Sequence, residues 1–163
     1  GVLIAVAGSI AAYLWMSGDN RAWENCKTLD KRTPEQRIQD CGAVILAGEK
    51  PARAMAQARR IRGRAFFDIG EVASAVQDYS EALSAVTDDA TLYSERGFAH
   101  LRNGQPDKAI ADFNAAVGLD ASLVEPLIGR GNAYLALKQP EQAVQDFSVA
   151  VTLKPDFAEA FYR

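Results

Sequence analysis

Apolar and polar positions along this chain return at a fixed interval of 34 residues, from Ala56 to Ala90 to Val124. Counting from those three as first places, the eighth place is Gly63, Gly97 and Gly131, and the twentieth is Ala75, Ala109 and Ala143. The twenty-fourth is aromatic each time, as Tyr79, Phe113 and Phe147, and the twenty-seventh is Ala82, Ala116 and Ala150. A period of this length predicts a solenoid, a chain whose units touch only their neighbours.

Each unit reads as a hairpin of two antiparallel helices. Small residues at the eighth, twentieth and twenty-seventh places let the helices approach closely, and the ring at the twenty-fourth fills the space between them. In the middle unit the first helix runs through Arg96, Gly97, Phe98 and Ala99 and the second through Ala109 to Phe113. Gly104-Gln105-Pro106-Asp107 separates them, with Pro106 suited to a first helical turn, where its missing N–H has no intrahelical partner to lose. Lys138-Gln139-Pro140-Glu141 repeats the device one unit later.

With these residues the chain resembles the tetratricopeptide-repeat (TPR) family. The resemblance covers residues 56–89, 90–123 and 124–157 as three units, and rests on the glycines, alanines and rings above together with Tyr134 and Pro155. Departures are Arg59 where the later units have Tyr93 and Leu127, and Thr87 and Ala121 where the family closes a unit with proline. Residues 158–163 match the opening of a further repeat or form a C-terminal end. The implied fold is all-α, a TPR-type solenoid of helical hairpins, and the implied role is protein binding without catalysis.

Ahead of the repeats, Val2 to Met16 carries no charge, and residues 1–18 would span roughly 27 Å as a helix at ~1.5 Å per residue. Tyr13 and Trp15 stand near one end, where rings favour the membrane interface. This segment is read as a single transmembrane anchor, with a cleaved leader as the alternative. Ala5 and Ser9, and Gly8 and Ala12, are small residues four apart, suited to packing against another transmembrane helix and hence to a membrane complex.

The two cysteines, Cys26 and Cys41, lie between anchor and repeats. Residues 19–33 read as a linker. Thr33-Pro34-Glu35-Gln36 has the form of a helix start, with a threonine cap, proline in the first turn and Gln36 at the capping-box place. Carrying the 34-residue frame backwards puts Cys41 at the twentieth place and Ile45 at the twenty-fourth, so Pro34 to Ala47 resembles the second helix of a degenerate unit, and residues 34–55 read as a degenerate half-repeat helix and loop. A Cys26–Cys41 disulfide would fasten the Trp23 segment to that helix. It implies an oxidising space, and the whole resembles small exported or membrane-anchored bacterial TPR proteins with repeats in the periplasm; two reduced cytosolic thiols are the other reading.

Composition narrows the chemistry further. A net charge of −3 over 163 residues, with acids and bases mixed along the repeats, argues against a general nucleic-acid binder. No phosphate loop, zinc pattern or nucleophile elbow is present, so no cofactor or metal is expected. His100, the single histidine, takes the place of Phe66 and Tyr134 in the other units and reads as packing. Asp78, Asp112 and Asp146 recur at the twenty-third place, which indicates a shared structural role on the second helix, and Arg62, Arg96 and Arg130 all precede the repeat glycine as a feature of the repeat.

The resemblance also implies where a partner binds. In this architecture the first helices line the inside of the superhelix, which assigns Arg60, Arg64, Ser94, Phe98, Arg102, Ile128 and Asn132 to the concave face. The arginines suit carboxylates, and Phe98 and Ile128 offer apolar area. Phe67, Leu101 and Leu135 are read as packing between units. Adaptors for the C-terminal carboxylate of cytosolic chaperones share a clamp: Lys and Asn at places five and nine, Asn at six of the next unit, then Lys and Arg at two and six of the third. Here those places hold Arg60 and Arg64, then Glu95, then Glu125 and Gly129, and the clamp pattern fails.

Overall fold

The structure, a computed structural model, describes residues 21–28 and 31–155. The anchor segment, with Ala5, Gly8, Ser9 and Ala12, lies outside the described residues. Among the described residues no helix is long and apolar enough to cross a membrane.

The described residues form eight helices and no strand. They are α1 (residues 21–27), α2 (Pro34–Ala47), α3 (Ala52–Asp68), α4 (Val72–Ala85), α5 (Ala90–Arg102), α6 (Pro106–Leu119), α7 (Val124–Ala136) and α8 (Pro140–Leu153). Helix α1 falls in the segment read as a linker. Helix α3 starts a turn before Ala56, at the residue after Pro51.

Local chemistry accounts for several boundaries. Thr33 caps α2: its Oγ1 accepts from the Gln36 N–H at 3.3 Å, and the Thr33 N–H donates to Gln36 Oε1 at 3.1 Å, closing the capping box. Pro106 and Pro140 open α6 and α8 as expected. Between the helices of each unit, the fifteenth place adopts a left-handed backbone, at Gly70 (φ 88°), Gly104 (φ 71°) and Lys138 (φ 60°). Lysine carries a Cβ penalty there that glycine avoids.

Consecutive helices pack as hairpins, α3 on α4, α5 on α6 and α7 on α8, and these stack in series. First helices also touch their counterparts, α3 against α5 and α5 against α7, whereas α4, α6 and α8 do not touch one another. The first helices therefore form the closer, inner layer.

The hairpins close on glycine. Phe113 is fully buried, with its ring between Gly97 of α5 and Gly129 of α7. A Cβ on Gly97 would lie 2.7 Å from Phe113 Cε1, and one on Gly129 closer still. Gly63 receives Tyr79, and Gly131 receives Phe147, in the same way. The Phe98 ring meets Phe113 edge-on at 5.0 Å. Burial pushes the Tyr79 phenol up, out of reach of physiological titration.

A second repeat-wide contact joins the arginine before each glycine to the aspartate before each ring. Arg62 donates to both oxygens of Asp78 (2.7 and 2.6 Å), Arg96 to those of Asp112 (2.9 and 2.7 Å), and Arg130 to those of Asp146 (2.8 and 2.6 Å). All three aspartates are buried, and such carboxylates need two parallel N–H donors to offset lost hydration. Arg96 Nη1 reaches Ser80 Oγ at 3.3 Å and Arg130 Nη1 reaches Asn114 Oδ1 at 2.6 Å, each on the preceding unit. His100 belongs to the same packing: it is buried, shares a 2.8 Å hydrogen bond with Gln105 Oε1, and has Nε2 3.8 Å from Asp112.

Two stability predictions result. Gly129→Ala forces the Phe113 ring to move and lowers unfolding free energy by about 1–3 kcal/mol, whereas Gly118→Ala, where an added Cβ meets nothing within 4 Å, is neutral or raises it by up to about 1 kcal/mol. Arg96→Met strands Asp112 and costs about 3 kcal/mol. Urea unfolding followed by circular dichroism measures all three.

Candidate partner-binding groove

The inner layer leaves a cleft where α3 meets the N-terminal hairpin on one side and α5 on the other. One part, of about 480 Å³, is bordered by Lys27, Arg37, Arg60, Arg64, Asp68 and Glu95. An adjoining part of about 500 Å³ shares Gln57 and Arg60 and runs past Val86, Asp89 and Leu92 to Pro51. The two lie on either side of Gln57 and Arg60 and together make up the groove along α3.

Charge in the groove is partly matched internally. Arg60 donates to Glu95 through Nε (2.8 Å) and Nη2 (3.0 Å), and its Nη1 is 4.0 Å from Asp89. The Glu95 bonds hold the guanidinium above its usual value, with burial acting the other way. Arg64 is largely exposed and donates to Asp68 at 3.1 Å. Asp68 also faces Arg37, at the longer distance of 3.8 Å. The Arg37 side chain is 15% exposed, and its buried Nε has no hydrogen-bond partner. Lys27, on α1, pairs with Glu24 at 2.9 Å and lies over the Trp23 ring.

Cys26 and Cys41 form the expected disulfide, with both residues fully buried. They share a cluster with Val44 of α2 and Ala58 of α3, flanked by Trp23, Met55 and Ile61. The bridge ties α1 to α2, and the cluster seats the pair on α3. Lys27 and Arg37 therefore stand beside the first repeat because of this non-repeating hairpin.

Among the expected concave-face residues, Arg60 and Arg64 come together in the groove, beside Asp68. Asn132 is exposed. Arg102 lies further along, donating to the Phe67 carbonyl at 2.7 Å with its guanidinium 4.8 Å from the Phe67 ring. Phe98 and Ile128 are partly buried against hydrophobic clusters. Ser94 is a correction: it is buried, because α5 is surrounded by α3, α4, α6 and α7. Phe67 and Leu101 pack against the core as expected, whereas Leu135 is about half exposed. Lys27 and Arg37 were not among the expected groove residues; both precede the regular period. Among the described residues no cluster of His, Cys, Asp and Glu is arranged to hold a metal.

Comparison with known proteins fits this geometry. A family model described as TPR repeat matches residues 63–104, and one described as tetratricopeptide repeat matches residues 94–158. The chain belongs to the tetratricopeptide-repeat family. A search of curated proteins gives no match to this TPR chain. Among solved structures it is similar to MamA, at 23% identity and a TM-score of 0.69, over 77% of this chain and 71% of that one. YrrB, described as a TPR protein with an unusual peptide-binding site, is 16% identical with a TM-score of 0.71, over 79% and 64% of the two chains. At such identities both speak for the fold alone. The second TPR domain of human RPAP3, solved with the HSP70 peptide SGPTIEEVD, is 28% identical with a TM-score of 0.62, over 64% and 88%.

Removing the bridge as Cys26→Ser/Cys41→Ser should cost about 3 kcal/mol for a loop of this length. Hydrogen exchange in α1 and α2, compared between the oxidised wild type and this variant, reports the loss: faster exchange there, with α5 to α8 unchanged.

Proposed function

We propose that this TPR chain is a non-catalytic, membrane-anchored scaffold, an accessory or assembly subunit of a membrane protein complex, with its repeats in the bacterial periplasm. The observation that carries the binding role is the groove along α3, bordered by α5 and by the N-terminal hairpin and lined with charged side chains. TPR relatives hold peptide segments, as RPAP3 does with the HSP70 peptide. The periplasmic assignment rests on the buried Cys26–Cys41 bridge, which suits an oxidising space, and the anchor on the uncharged run from Val2 to Met16.

Partner selection differs from that of the chaperone adaptors. Glu95 occupies a place where they use an amide, and it already takes both donors of Arg60. A partner's terminal carboxylate would have to displace it.

Carbonate washing of membranes tests the anchor: the full chain is expected to stay in the pellet, and release into the supernatant would assign it to a soluble, exported adaptor with a cleaved leader. Gentle detergent extraction and native electrophoresis test the scaffold. Co-migration with other membrane proteins is expected, and a lone monomer contradicts membership of a complex.

A further inference from the structure

The N-terminal end of the groove has more positive charge than its own carboxylates match. Arg60 is taken up by Glu95. That leaves Arg37 and Arg64 around the single carboxylate of Asp68, with Lys27 on the same rim and paired at 2.9 Å to Glu24 of its own helix, which is not part of the lining. Asp68 divides itself between Arg64 at 3.1 Å and Arg37 at 3.8 Å. The Arg37 Nε is buried without a partner, an arrangement that costs free energy until an acceptor reaches it or the side chain swings outward to meet one. A second carboxylate opposite Asp68 would balance the cluster through charge-assisted hydrogen bonds.

We infer that the hairpin of α1 and α2 completes an acceptor site for an acidic segment of a protein partner, with Lys27, Arg37 and Arg64 as the groups that hold its side-chain carboxylates. This rests on the scaffold reading and deepens it. The site lies beside the Arg60–Glu95 pair, and two of its three cations come from outside the repeats. An internal acidic stretch fits it without a free chain end. The buried bridge sets the site's geometry, because Cys26 adjoins Lys27 and its partner Cys41 is one turn from Arg37 on α2.

The test is fluorescence anisotropy at low salt with an acetylated, amidated hexaglutamate peptide on the full oxidised chain in detergent. Hexaglutamate is expected to bind, and more weakly as salt rises. Lys27→Gln and Arg37→Gln should each weaken it by about tenfold, and Asp68→Asn should strengthen it by a similar factor, a gain that misfolding does not produce. Lys108→Gln, on α6, should leave it unchanged. No binding, or binding indifferent to Lys27, Arg37 and Asp68, overturns the inference. Equal or tighter binding of oligodeoxythymidylate of the same length overturns the assignment to a protein segment. If native partners co-purify while Arg37→Gln leaves them bound, the acidic site is wrong and the scaffold stands; if none co-purify, the scaffold reading itself has failed.

Discussion

Phe113 is held between two glycines, Gly97 within its own hairpin and Gly129 on the next. That close approach is the constraint on which the stacking depends. Without a side chain at either glycine, the ring fills the space between helices that would otherwise stand further apart, and one side chain joins two units. The arginine beside each repeat glycine meets a buried aspartate beside each ring, so apolar contact and ion pair lie next to each other in every unit. Close packing excludes water around the aspartate, and the two parallel donors of the arginine offset the carboxylate's lost hydration. Arg96 and Arg130 also reach back to Ser80 and Asn114, which couples this pairing to the neighbouring unit.

This arrangement decides what is left for a partner. The second helices stay apart while the first helices touch, so the inner layer carries the groove. Most of α5 is enclosed by its neighbours, and the accessible chemistry shifts toward α3. There the disulfide-bonded hairpin takes the place of a preceding repeat. Its irregularity changes that wall: a regular unit would present repeat residues there, and this hairpin presents Lys27 and Arg37.

The 34-residue frame made the hairpins legible because recurring contacts require recurring residue types. The glycines, the rings, the Thr33 and Gln36 cap, and the prolines opening α6 and α8 all follow from local sterics or hydrogen bonding that a sequence displays directly. The recurring aspartates and arginines were each readable as structural, but their pairing was not, since it joins side chains sixteen residues apart on two different helices. Gly129 carried no signal of its own, because the matching sixth place holds Ile61 and Glu95 in the other two units. Ser94 lies on a helix face that the period assigns to the inner wall, yet the neighbours of α5 cover it. Lys27 and Arg37 stand where the period has broken down, and only the fold and the bridge bring them to the groove.

The central claim is that partners dock on the inner layer, with the hairpin as one wall. Amide chemical-shift mapping of the isotopically labelled protein with its co-purified partner tests this most directly. The account predicts perturbations along α3, the start of α2 and the exposed turns of α5, with α4, α6 and α8 little changed; perturbations concentrated on α4, α6 and α8 would contradict it.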